Sequence, residues 1–169
     1  AITFVTANTT QTVTASTTTT PSLATIVSPN ITVNPGALDR LQVLVEPDQT
    51  AKPGKTAAPA GRDTTSIAAK TAGTSFVVRV NAVDLNWNKR TSEAFPVTLS
   101  ADDPYDLPAT IIQSLASGAT VFNPVLVTVA TGWTFNATGG TKAGYSDPVP
   151  VVHGAAAKLQ VLVAGESAV

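Results

Sequence analysis

Asp84, Asn86 and Asn88 set oxygen-bearing side chains at alternate positions of one short stretch, and Asp102, Asp103 and Asp106 form a second acidic group. Calcium takes about six to eight oxygen ligands of this kind. The first triplet is therefore a candidate calcium site, although its D-x-N-x-N spacing lacks the glycine and the distal glutamate of an EF-hand loop. Asp and Asn also populate turns for a plainer reason, because their side chains hydrogen-bond the neighbouring backbone. Cysteine is absent, which removes thiolate nucleophiles, thiolate metal sites and disulfides together. Threonine is abundant, at 27 residues, yet no G-x-S-x-G elbow occurs. Gly139-Gly140 has the character of a hairpin turn and not of a phosphate loop. Asn8, Asn30 and Asn136 each begin an N-glycosylation sequon, which a threonine-rich chain also generates by chance. These residue types predict no enzymatic activity and no required organic cofactor.

The elements that position these side chains read as strands. Phe76, Val78, Val80 and Ala82 share one face of a run whose other face carries Val77, Arg79 and Asn81. The same alternation places Leu41, Val43 and Val45 opposite Gln42 and Leu44, and Phe95, Val97 and Leu99 opposite Pro96, Thr98 and Ser100. It also sets Val125, Val127 and Val129 opposite Leu126 and Thr128, and Trp133, Phe135 and Ala137 opposite Thr134, Asn136 and Thr138. β-Branched Thr and Val favour strands, and no segment shows a capped helical stripe. Many short strands separated by Gly and Pro imply a sandwich or barrel. The expected core holds Val43, Phe76, Val78, Val80, Leu99, Val127 and Phe135. Asn123-Pro124 predicts a bulge or an edge. Residues 47–74 are small and polar, and such a long loop is either a mobile surface excursion or a contact element touching a neighbouring module or chain.

The net charge of −1 gives no basic footprint for nucleic acid. No apolar run reaches the roughly 20 residues of a membrane helix. The chain also repeats itself. Leu41-Gln42-Val43-Leu44-Val45 recurs as Leu159-Gln160-Val161-Leu162-Val163, and Ser28 to Val45 aligns without a gap on Ser146 to Val163, a period of about 118 residues. Upstream, Phe4-Val5-Thr6-Ala7 aligns on Leu126-Val127-Thr128-Val129, and Gln11 to Ala15 on Trp133 to Ala137. The first copy carries about four extra residues around Thr17 to Thr20, in a tract that reads as a polar spacer, an O-glycosylated stalk or a long turn. The repeat predicts the closing strands of one module at 1–37, a complete module at 38–154 and the first strand of a third at 155–169. His153, the only histidine, falls where the earlier copy has Pro35, and reads as a surface residue.

Several phrases resemble bacterial immunoglobulin-like repeats of the invasin type. These are Gly73 to Asn88, Phe95-Pro96-Val97-Thr98-Leu99-Ser100-Ala101-Asp102-Asp103, Ser117 to Phe122 with Val127 to Gly132, and the module-ending Ile31-Thr32-Val33-Asn34-Pro35-Gly36-Ala37. The resemblance spans nearly the whole period. It implies an extracellular stalk, adhesin or surface-layer role, and with the alternation and the repeat it predicts an all-β, immunoglobulin-like β-sandwich in tandem, in a non-catalytic extracellular filament, adhesin stalk, surface layer or sheath. The partners it implies are other copies of the same protein or neighbouring repeats. The lack of disulfides fits a bacterial or archaeal cell surface. An accessory carbohydrate-binding module of a secreted enzyme is the alternative, with surface glycans as ligands. Trp87, in a turn, is its one candidate platform, because Trp133 reads as core and Tyr105 and Tyr145 are isolated.

Overall fold

A computed structural model describes the chain except for Thr19, Pro21, Ser22, Gln160, Leu162 and residues 166–169. The described residues contain strands and no helix. In chain order the strands are β1 (Thr10–Gln11), β2 (Thr14–Ala15), β3 (Ile26–Val27), β4 (Ile31–Thr32), β5 (Arg40–Glu46), β6 (Lys70–Thr71) and β7 (Val77–Val83). They continue with β8 (Pro96–Ala101), β9 (Thr110–Ser114), β10 (Ala119–Phe122), β11 (Ala130–Trp133), β12 (Phe135–Gly139), β13 (Lys142–Tyr145) and β14 (Val149–Val152). Two larger sheets, β10-β7-β5 and β13-β12-β8-β9, form a sandwich-like arrangement completed by β11-β14-β6. Among the described residues all strand pairings are antiparallel except β14 with β6. β12 and β13 are joined at Gly140-Thr141, both at positive φ, as the primed two-residue hairpin turns require.

The core follows the alternation. Leu41, Val43 and Val45 of β5 and Val78, Val80 and Ala82 of β7 pack with Val97, Leu99, Phe135 and Ala137 of the facing sheet. Phe76 lies at the margin with its ring edge-on to Phe135, centroids 5.8 Å apart. One expected core residue is replaced by its neighbour: Leu126 is buried and Val127 only half-buried, while Val129 is 56% exposed. The reason is local. After Phe122 the chain leaves β10, and residues 123–129 form no continuous strand. The Asp103 carboxylate then accepts the N–H groups of both Val127 and Thr128, at 2.8 and 3.0 Å. Two successive amides aimed at one carboxylate are incompatible with the alternation of an extended strand.

Gln42 and Leu44, expected on an outer face, are also buried. Residues 47–74 account for Gln42. They fold back as an ordered cover, with Ile67 inserted in the core and β6 paired to β14. Gln42 donates to the Gly61 carbonyl at 2.6 Å and accepts from Asn81 at 3.0 Å. Gln49 is fully buried, accepting from the Val45 amide and donating to the Thr64 carbonyl. Arg62 pairs with Asp147, and Lys70 with Asp48 at 2.6 Å. The Thr50 hydroxyl and amide hold the Asp63 carboxyl down to about 2. The loop satisfies its own polar groups, which is the condition for burying it.

Residues 1–37 form a separate two-part ribbon, β1 with β4 and β2 with β3. The Ser16 to Ser22 tract joins β2 to β3, and Thr19, Pro21 and Ser22 lie outside the described residues. The ribbon exposes Ile2, Leu23, Ile26 and Val27 by more than half, and among its described residues only Ala7 is buried. The strand expected over 155–169 lies partly outside the described residues, at Gln160, Leu162 and 166–169. None of its described residues is in a strand.

Candidate functional site

Asp84, Asn86 and Asn88 come together at the turn that follows β7, and their geometry is that of a fastening. Asp84 is buried. Its Oδ1 accepts the N–H groups of Asn86 and Asn88, each at 2.9 Å, which closes the turn on itself. Its Oδ2 accepts the Gly36 N–H at 2.8 Å, from 48 residues earlier in the chain. The Asn88 side-chain amide donates to the same carboxylate at 3.0 Å and to the Val5 carbonyl at 2.8 Å, while Asn88 Oδ1 accepts the Ala7 N–H at 2.8 Å. Burial alone would raise the Asp84 carboxyl, but the donors from Asn88, Gly36 and Asn86 outweigh it and hold the group below the ordinary carboxylate range.

The turn therefore bridges residues 1–37 and the larger sandwich. Asn8 adds a bond to the Lys89 carbonyl at 3.1 Å, and Arg90 donates to the Gly36 carbonyl. The Gly54 amide donates to the Asn86 carbonyl at 2.8 Å, and its α-carbon lies close against Thr6. The covering loop thus also touches residues 1–37. An open cleft of about 440 Å³ remains between Phe4, Val5, Val33 and Leu38 on one side and Leu85 and Asn86 on the other. A calcium ion at Asp84 would have to displace the N–H donors that already fill both carboxylate oxygens. No group of three or more His, Cys, Asp or Glu side chains among the described residues is placed to hold a metal ion.

The second acidic group is divided among separate tasks. Asp102 accepts the Thr134 N–H at 2.6 Å. Asp103 binds Tyr105, Val127 and Thr128. Burial, and then the charge of Asp103, raise the Asp106 carboxyl against the Ala101 backbone bond. For Asp103, burial would raise the carboxyl, but the donors of Thr128, Tyr105 and Val127 outweigh it and lower the group, as the donors around Asp84 do there. His153 is exposed, with Nδ1 3.0 Å from the Gly154 carbonyl. Of the sequon residues, Asn30 is exposed, Asn8 uses its amide nitrogen on Lys89, and Asn136 carries a buried Oδ1 without a partner among the described residues.

No family model and no curated protein matches the chain. No described helix is long and apolar enough to cross a membrane.

Trp87 sits in the same turn at a φ of 64°. The Arg40 guanidinium lies over its ring, 4.8 Å from the centroid, and Gly61 packs against it so closely that a β-carbon there would fall 2.3 Å from Cδ2. Tyr145, Arg62 and Asp39 complete an open cleft of about 420 Å³ around it. Gly61 itself has a φ of +73°. Gly61→Ala therefore combines overpacking with a left-handed conformation, and its expected cost is about 2 kcal/mol. Urea unfolding, followed through Trp87 fluorescence in a Trp133→Phe background, measures it, and a cost below about 0.5 kcal/mol would contradict the packing described.

Sequence reasoning missed the main use of this turn. The D-x-N-x-N spacing marked the residues, and the turn chemistry of Asp and Asn marked Oδ1. Nothing local pointed to Gly36, Val5 and Ala7 as the other partners. Gln49, the buried polar anchor of the covering loop, carried no sequence signal.

Proposed function

We propose that the chain is a non-catalytic structural repeat of an extracellular assembly: a filament, an adhesin stalk, a surface layer or a sheath. Its modules on this reading are immunoglobulin-like sandwiches in tandem. The observation that carries it is a shared hydrogen-bond pair. In residues 1–37 the Val13 N–H donates to Ser28 Oγ at 2.9 Å and the Ser28 N–H donates to the Val13 carbonyl at 2.9 Å. At the positions that the repeat aligns with these, Phe135 and Ser146 make the same two bonds at 2.9 and 3.0 Å. Strand register agrees as well. Thr14 faces Val27 and Ala15 faces Ile26, as Asn136 faces Tyr145 and Ala137 faces Gly144.

On this reading residues 1–37 are the closing ribbon of a preceding module, and the Asp84 turn fastens it to the next. A joint made of short hydrogen bonds to backbone holds successive modules in a fixed relation, unlike a flexible linker. β9 lies at the edge of its sheet with Ile112 exposed, which favours lateral pairing with other copies. The low net charge leaves little repulsion to oppose close packing.

The accessory carbohydrate-binding reading rests on Trp87. Stacking on a sugar needs a free ring face, and this ring already carries Arg40 and the Gly61 backbone. Electron microscopy of the native material tests the proposal. The expected result is regular filaments or sheets in which this segment contacts other copies. Freely oriented monomers that bind a glycan, with binding lost in Trp87→Ala, would overturn it.

A further inference from the structure

We infer that the far end of the sandwich, at Val127 to Val129 and Gly154, is the seat for the Asp84–Asn88 turn of a further copy of the module, entering through Ala155 to Leu159. The inference rests on the tandem reading and names the contact by which one module would hold the next.

The fastening of residues 1–37 uses the Val5 carbonyl, the Ala7 N–H, and the N–H and carbonyl of Gly36. The repeat places Val127, Val129 and Gly154 at these positions. The strand pairing next to them is shared by both places. The Asn8 N–H donates to the Val33 carbonyl at 2.9 Å, and the aligned residues Ala130 and Val151 are partners in the β11–β14 pairing.

A second observation comes from the far end itself. Among the described residues, neither the Val129 N–H nor the Gly154 N–H has an acceptor, whereas Ala7 and Gly36 both have one in the turn. The surface around them is apolar and open. Val129 is 56% exposed, Tyr105 58% and Val152 44%. Tyr105, Val127, Thr128 and Val129 line a cleft of about 430 Å³, comparable with the cleft beside Leu85 at the joint already formed. Leu159 and Val161, which the repeat aligns with buried Leu41 and Val43, are 98% and 88% exposed. A following sandwich would bury them as its first strand. One bond would be lost in the transfer, because Ala130 replaces Asn8 and has no amide to offer Lys89.

The occupant is a covalently continuous module and not a second free chain. In a free chain the turn is already engaged by its own Val5, Ala7 and Gly36.

The test compares the 169-residue chain with a tandem in which residues 1–154 continue directly into a second set of residues 37–169. Amide hydrogen exchange is read at Val129 and Gly154 by NMR. Both amides are expected to exchange about tenfold more slowly, or slower still, in the tandem. Asp84→Ala in the second copy alone should restore fast exchange at Gly154 while Gly36 stays protected. Unchanged rates at Val129 and Gly154, with the Val80 amide of the second copy protected, would overturn the inference. An unfolded second copy would overturn it too, because the phase that sets Gly154 at Gly36 would then be wrong. Native filaments without this protection would remove the joint and leave the structural-repeat proposal standing. Protection in the tandem without native filaments would support the joint and count against the filament.

Discussion

Asp84→Ala is expected to cost the chain about 3 kcal/mol and to release residues 1–37 from the sandwich. Hydrogen bonds to a charged group contribute about 1.5–3 kcal/mol each, and such contributions are not additive. The substitution leaves the amides of Gly36, Asn86 and Asn88, and the Asn88 side chain, without their acceptor. Water reaches the open side of the cleft and recovers part of the loss. Asp84→Asn keeps one accepting oxygen and should cost about half as much. Urea unfolding gives the magnitude. Amide exchange gives the location, with the Ala7 and Gly36 amides speeding up before those of β5 and β7. Equal acceleration throughout the sandwich would contradict a joint role.

The same carboxylate sets an acid limit. Its pKa in the folded chain lies below the ordinary value. The charged form is therefore favoured by folding, and the stability it contributes is fully present above the unfolded carboxylate pKa, near 3.9. That contribution is lost as pH falls through the folded value. Asp103 acts in the same direction at the far end. Asp106, raised by burial, has the opposite sign: its contribution is present at low pH and lost as pH rises. Acid titration followed by the Gly36 amide resonance should show the joint loosening only below the ordinary carboxylate range. A midpoint at or above that range would contradict the hydrogen-bond set.

Phe135→Ala is the second large effect, at about 3–5 kcal/mol. Phe135 is 1% exposed and its ring is held edge-on by Phe76. Its strand is paired on both sides, to β8 and to β13. The walls around the vacated ring are fixed by those ladders and cannot collapse into it, so the cavity term adds to the lost transfer energy. Val13, the residue aligned with Phe135, lies on the exposed ribbon and is only half-buried. Val13→Ala should cost less than about 1 kcal/mol. Chemical denaturation of the two variants checks the contrast, and similar costs would contradict it.

Residue types and spacing alone carried the strand character of β5, β7, β8 and β12, their inward faces, and the turn character of Asp84 to Asn88. The reason is that these are short-range properties. Side chains alternate across any strand, so Val43, Val78, Leu99 and Phe135 point inward wherever the strand pairs, and an Asp closes a turn through amides two and four residues away. Leu126 shows the limit of that logic. Its run looked like an alternating strand, and a distant Asp103 carboxylate turned the chain so that Leu126 and not Val127 reached the core. Gln42 shows it again, because a strand's outer face is polar only until another segment covers it, and residues 47–74 cover this one. The joint was decided entirely by tertiary structure. Ala7 meets Asn88 across 81 residues and Gly36 meets Asp84 across 48. A backbone N–H is the same donor in every residue, so no side-chain pattern can mark which amide a remote carboxylate will find.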